Sequence, residues 1–128
     1  MAVKIGDVVL MFDGTVRPPK HKRLICVCAA EGVFLRINTK PHFRPHMPFP
    51  MADNPGCLDH DSYIELRGVL EVDVDYVQTS ILDGDARILA PISVTTAMAL
   101  AEEVAKAITL NEREKALIVG NLKGFASQ

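Results

Sequence analysis

Tryptophan is absent and aromatic residues make up only 5% of the 128-residue chain. Any stacking on unpaired bases therefore falls to very few rings: Phe43, Phe49 and Tyr63 lie in or next to one loop, and the prolines around Phe49 favour a pinning role for it. Long apolar runs are missing too. The longest is Leu24 to Ala30, far short of the roughly 20 residues that cross a bilayer, and the N-terminus carries no basic-then-apolar export pattern. The expectation is a soluble, cytoplasmic protein with no membrane partner. Only three cysteines occur. Cys26 and Cys28, two apart on one strand face, form a poor disulfide geometry, and Cys57 is left over, so all three are expected as reduced thiols. There is no internal repeat and no low-complexity tract, and the length suits one domain, residues 1–128.

Acidic residues are almost missing from residues 14–50, where Glu31 stands alone against Arg17, Lys20, Lys22, Arg23, Arg36, Lys40 and Arg44. Residues 51–128 reverse the balance with thirteen acids against six basic residues, so the net charge of -2 conceals a strongly basic segment. Phosphate backbones respond to local potential and not to the sum, which makes the basic stretch the first place to look for function.

The first two-thirds of the chain reads as short strands between turn signals. Asp7 to Phe12 closes on Asp13-Gly14; Arg23 to Ala30 and Val33 to Lys40 flank Glu31-Gly32 and form a hairpin. In its second arm Val33, Leu35, Ile37 and Thr39 share one face, and Phe34, Arg36 and Asn38 the other. Five prolines between Pro41 and Pro55 exclude a helix or a central strand there, so residues 41–61 are expected as a long functional loop. Strands are predicted again at Ser62 to Val69, Glu71 to Thr79 and Ala86 to Ile92. From Ser93 the period changes to three and four, with Glu102 and Lys106 as an i,i+4 pair, and a second helix follows a capping signal at Thr109-Glu112 or Asn111-Glu114. Strands first (1–92) and two helices last (93–124) give a mainly β fold: a small barrel or curled sheet with helices at one end.

Two chemistries compete for the middle of the chain. His42 and His46, four apart, with Cys57 and His60, three apart, form a donor set of residue types suited to zinc. The alternative is metal-free cleavage of RNA. That reaction needs a base for the 2′-hydroxyl, a cation for the charge gathering on phosphorus and an acid for the departing 5′-oxygen. Antiparallel pairing across Glu31-Gly32 brings Arg23 and Thr39 to the same end of the sheet, with His21, Lys22, Lys40 and His42 beside them. Arginine supplies a planar fork for a phosphate and threonine a donor to a non-bridging oxygen.

The runs Lys4-Ile5-Gly6-Asp7-Val8-Val9-Leu10, Lys22-Arg23-Leu24-Ile25-Cys26-Val27-Cys28 and Leu35-Arg36-Ile37-Asn38-Thr39-Lys40, in that order and spacing, resemble the PemK/MazF-like toxins. Leu58-Asp59-His60-Asp61-Ser62-Tyr63-Ile64 sits where those proteins turn through an aspartate into another strand. The resemblance implies an SH3-like barrel, commonly a homodimer, that cuts single-stranded RNA without cofactor or metal and is held inactive by an antitoxin peptide. It makes Arg23 the catalytic arginine and Thr39 its hydroxyl companion, with Asp61 as a further catalytic transfer. From the residues themselves, His21, His42 and His60 are the candidate proton carriers, and Lys20, His21, Lys22, Arg36, Lys40, Arg44 and Phe43 are expected to hold the RNA. Leu24 stands where the family has proline, and no arginine follows Asp61. The second expectation is accordingly a barrel that binds RNA or an acidic protein without cutting, and the third is a small zinc protein.

Overall fold

A computed structural model describes residues 3–128. Seven strands and three helices follow one another as β1 (Asp7–Asp13), β2 (Lys20–Cys28), β3 (Val33–Asn38), β4 (His46–Phe49), β5 (Ser62–Glu65), β6 (Leu70–Glu71), α1 (Val74–Leu82), β7 (Arg87–Pro91), α2 (Val94–Lys106) and α3 (Glu112–Ala126). All pairings are antiparallel, in the order β4-β5-β3-β2-β1-β7, with β6 on β3. The β4 and β7 edges do not pair with each other among the described residues, so the sheet is open. Among the described residues no helix is long and apolar enough to cross a membrane.

The β2–β3 hairpin forms as its sequence predicts, pairing Leu24 with Arg36 and Cys26 with Phe34. Its turn depends on Gly32, at φ +66°, where an added Cβ would lie 1.9 Å from the Val72 carbonyl oxygen. Both faces of the sheet are covered at this end. Ile25, Val27, Leu35, Ile37 and Ile64 pack with Leu100, Val104, Ile118 and Leu122 of α2 and α3. On the opposite face Val9, Met11, Leu24, Cys26 and Phe34 pack with Val77 of α1. Cys26, Cys28 and Cys57 are free and buried. Burial pushes the Cys26 thiol up to about 12 and that of Cys57 to about 11.

Three expectations are corrected. Glu71 to Thr79 is not a strand: Asp73 caps α1 by accepting from the Asp75 and Tyr76 amides at 2.8 and 3.3 Å, and this local capping overrides the alternating Val-Asp-Val-Asp pattern. The described residues therefore form three helices and not two. The proline-rich segment is not all loop. Its residues His46–Phe49 form β4, which pairs Pro48 with Tyr63, and an edge position tolerates proline because only one side must donate. Phe49 is fully buried in the core, the pinning role its prolines suggest. The strand from Ser62 ends at Glu65, before Gly68, and not at Val69. The two C-terminal helices match their caps: the Ser93 hydroxyl accepts from the Thr96 amide, and Asn111 with Glu114 forms the capping box, which settles the choice left open with Thr109. The last helix runs past Lys123 to Ala126.

Candidate functional site

A groove of about 640 Å³ opens at the ends of β2 and β3. Seven Lys and Arg residues and three histidines line it, against one carboxylate, Glu65. Strand alternation explains its composition. Lys20 and Lys22 extend the β2 face that carries Leu24 and Cys26, but beyond the last residues that α1 covers, so the same face turns from apolar to cationic along the strand. Arg36 and Asn38 do the same on β3. Arg23, Ile37 and Thr39 belong to the opposite face, so the groove wraps the strand ends and receives side chains from both sides.

Of the twelve candidate residues, ten line this groove: Arg23, Thr39, His42, His60, Lys20, His21, Lys22, Arg36, Lys40 and Phe43. Asp61 and Arg44 do not. The Asp61 carboxylate instead accepts from the Met51 amide at 2.9 Å and ties down the turn after β4. Two nitrogens of Arg36 are already engaged: Nε donates to Asp13 at 2.9 Å and Nη2 to the Thr15 hydroxyl at 2.7 Å. Arg36 thus acts first as the keystone of the groove wall. The residues of the zinc reading are not gathered. His46 lies in β4 edge-on to Tyr63 and the Cys57 thiol donates to the Ala90 and Pro91 carbonyls at 3.4 and 3.3 Å, and among the described residues no group of three or more His, Cys, Asp and Glu side chains could hold a metal ion.

Three features of the groove are not evident from strand patterns. The first is Glu65, 3% exposed, whose carboxylate accepts from Asn38 Nδ2 at 3.0 Å and lies 3.7 Å from Arg67 Nε and 4.0 Å from Arg36 Nη1. Asn38 in turn accepts from Lys22 Nζ. Burial holds the Lys22 ammonium below the ordinary lysine range, with Glu65 acting in the opposite direction and Lys20 in the same one. The second is Asp13, 1% exposed. Its burial would raise its carboxyl, but the Thr15 hydroxyl and amide at 2.5 and 2.9 Å, together with Arg36, outweigh this and hold it below the ordinary carboxylate range. The third is Arg67, stacked 4.3 Å over the Phe43 ring. A lone acid and a lone base around the apolar Leu66 are the only signals of Glu65 and Arg67 that the sequence carries.

Arg23 has a different surrounding. Its Nε is buried without a hydrogen-bond partner among the described residues, and its Nη2 lies 3.6 Å from the exposed Asp59 carboxylate, which also meets His60 Nδ1 at 2.5 Å. The Arg23 guanidinium holds the Asp59 carboxyl below its usual range. Asp59 thus occupies part of the anion-binding capacity of Arg23. Asp59→Asn is expected to tighten the binding of a short single-stranded RNA by about twofold to fivefold, a modest gain because exposed ion pairs are weak; fluorescence anisotropy at fixed salt measures it, and weaker binding would show that Asp59 instead props the groove open. No family model matches this chain, and no curated protein is significantly similar to it.

Proposed function

We propose that the protein is a metal-independent endoribonuclease that cuts single-stranded RNA in this groove, its open sheet a variant of the SH3-like barrel of the PemK/MazF-like toxins. The observation that supports this reading is the convergence of Arg23 and Thr39 from the two arms of one hairpin into a groove with His21, His42 and His60. Arg23 stabilises charge on the scissile phosphate, and Thr39 donates to a non-bridging oxygen. A histidine takes the 2′-hydroxyl proton, since imidazole titrates near neutral pH. The cationic wall draws in the flanking phosphates, and the Phe43–Arg67 pair offers a stacking surface for one base. An acidic antitoxin peptide would compete for the same cations, and a homodimer would double the groove.

The experiment is incubation of pure protein with a single-stranded RNA in EDTA, with Arg23→Ala alongside. Cleavage by the wild type that Arg23→Ala lacks supports the reading. Uncut RNA, or equal cutting by both, overturns it.

The second reading, a non-catalytic RNA or acidic-protein binder, draws on the Arg23–Asp59 pair, since an arginine neutralised by an internal carboxylate holds anions less tightly. Salt-sensitive RNA binding with no cleavage would select it.

A further inference from the structure

We propose that Lys22 is the general acid of the reaction, the group that protonates the departing 5′-oxygen. This assignment rests on the endoribonuclease reading above. Lys22 lines the groove, next in sequence to Arg23, and its ammonium is held by Asn38, whose amide is fixed in turn by the buried Glu65. Among the described residues Asn38 is its only hydrogen-bond partner, and no carboxylate lies within ion-pairing distance of it. The nearby carboxylates have other partners: Glu65 is engaged by Asn38, Arg36 and Arg67, and Asp13 by Arg36 and Thr15. Lys22 is therefore a positioned, half-buried ammonium whose remaining protons are uncommitted, as an acid must be.

The charged groups facing it pull in both directions. Lys20 on its own strand and Arg36 on β3 disfavour its proton, and Glu65 on β5 and Asp13 on β1 favour it, while burial disfavours it most. The result is an ammonium anchored by Asn38 that gives up its proton more readily than a free lysine. That combination suits an acid better than a base, which would have to begin neutral.

In the step itself the 2′-oxygen attacks phosphorus as a histidine takes its proton. The P–O2′ bond forms and the P–O5′ bond breaks, giving a 2′,3′-cyclic phosphate. The 5′-oxygen leaves with a proton from Lys22 Nζ. The protonated histidine and the neutral lysine then exchange a proton through water, so no co-reactant is consumed. In-line displacement places the attacking and leaving oxygens on opposite sides of phosphorus. Lys22 enters the groove from β2, as does His21, whereas His42 and His60 enter from the segments after β3 and before β5, so a base drawn from His42 or His60 comes from a different element than the acid.

Lys22→Arg keeps the charge but cannot release a proton. It is expected to bind RNA within about threefold of the wild type and to cut it about 10²-fold or more slowly, the usual contribution of a positioned acid. A substrate with sulfur in place of the bridging 5′-oxygen needs no acid, because a thiolate leaves unaided. On it, Lys22→Arg should cut within a few-fold of the wild type. Lys22→Met, which removes the charge as well, should lose RNA affinity and regain the same relative rate at saturating thiolate substrate. Ordinary RNA cut at the wild-type rate by Lys22→Arg, or an equal loss on both substrates, would overturn the assignment while leaving the nuclease reading intact. RNA left uncut by the wild type would overturn both.

Discussion

Arg23→Ala is expected to slow RNA cleavage by about 10²–10³-fold, the range seen when one preorganised donor to a developing oxyanion is removed. Among the described residues the Arg23 guanidinium makes no hydrogen bond: Nε is buried without a partner and Nη2 lies 3.6 Å from one carboxylate, that of Asp59. The fork therefore has donors to spare for the oxygens of a phosphate, and their electrostatic value is greatest where charge builds up during the reaction. RNA affinity should fall much less, because six other Lys and Arg residues line the groove. A kcat/KM loss carried mainly by kcat is thus the signature of the proposed role. Arg23→Lys should recover only a small part of the rate, since an ammonium lacks the bidentate geometry. Steady-state cleavage of a fluorogenic RNA measures both; a loss confined to KM would make Arg23 a binding residue and favour the non-catalytic reading of the groove.

Asp13→Ala should destabilise the fold by about 3 kcal/mol, the lower end for breaking a buried ion pair. Thermal unfolding would then move down by about 10 °C for a chain of this size. Asp13 ends β1 with its side chain buried, and its removal takes the nearest carboxylate from Arg36, whose side chain is only 16% exposed and keeps Thr15 and the more distant Glu65. Asp13→Asn should cost less, as it keeps an acceptor for Thr15. The pH dependence has a definite sign. The folded carboxyl titrates below its ordinary value, so its stabilisation is complete above about pH 4 and is lost as pH falls through the lower folded value. The gap between wild type and Asp13→Asn should therefore close on acidification below about pH 4. A gap unchanged down to pH 2 would show that the carboxylate's charge contributes nothing. Because Arg36 forms part of the groove wall, Asp13→Ala should also weaken RNA binding at temperatures where the protein remains folded.

Local chemistry made much of the architecture legible. Gly32 set the hairpin turn, apolar runs between turn signals marked β1 and β2, and period-2 alternation marked β3. Ser93 and the Asn111–Glu114 box marked the final helices. The same reasoning failed at Val74–Leu82, where Val-Asp alternation imitates a strand while the Asp73 cap and burial of only Val77 and Ser80 suit a helix. It also failed at His46–Phe49, because a proline is excluded from central strands but not from an edge, and edge or centre is a property of the assembled sheet.

The clustering of cations near residues 20–44 is already present in the chain, since antiparallel pairing across one short turn must return Lys40 to the neighbourhood of Lys20 and Arg23. Which of those cations are free is another matter. Arg36 is bound by Asp13, 23 residues away, and Lys22 is joined through Asn38 to Glu65, a further 27 residues on. Such partnerships arise when β5, β3, β2 and β1 are laid side by side in that order, and desolvation sets their strength. Alternation and capping act over a few neighbouring residues and can be read along a line; burial and ion pairing depend on what the folded sheet brings across from elsewhere in the chain.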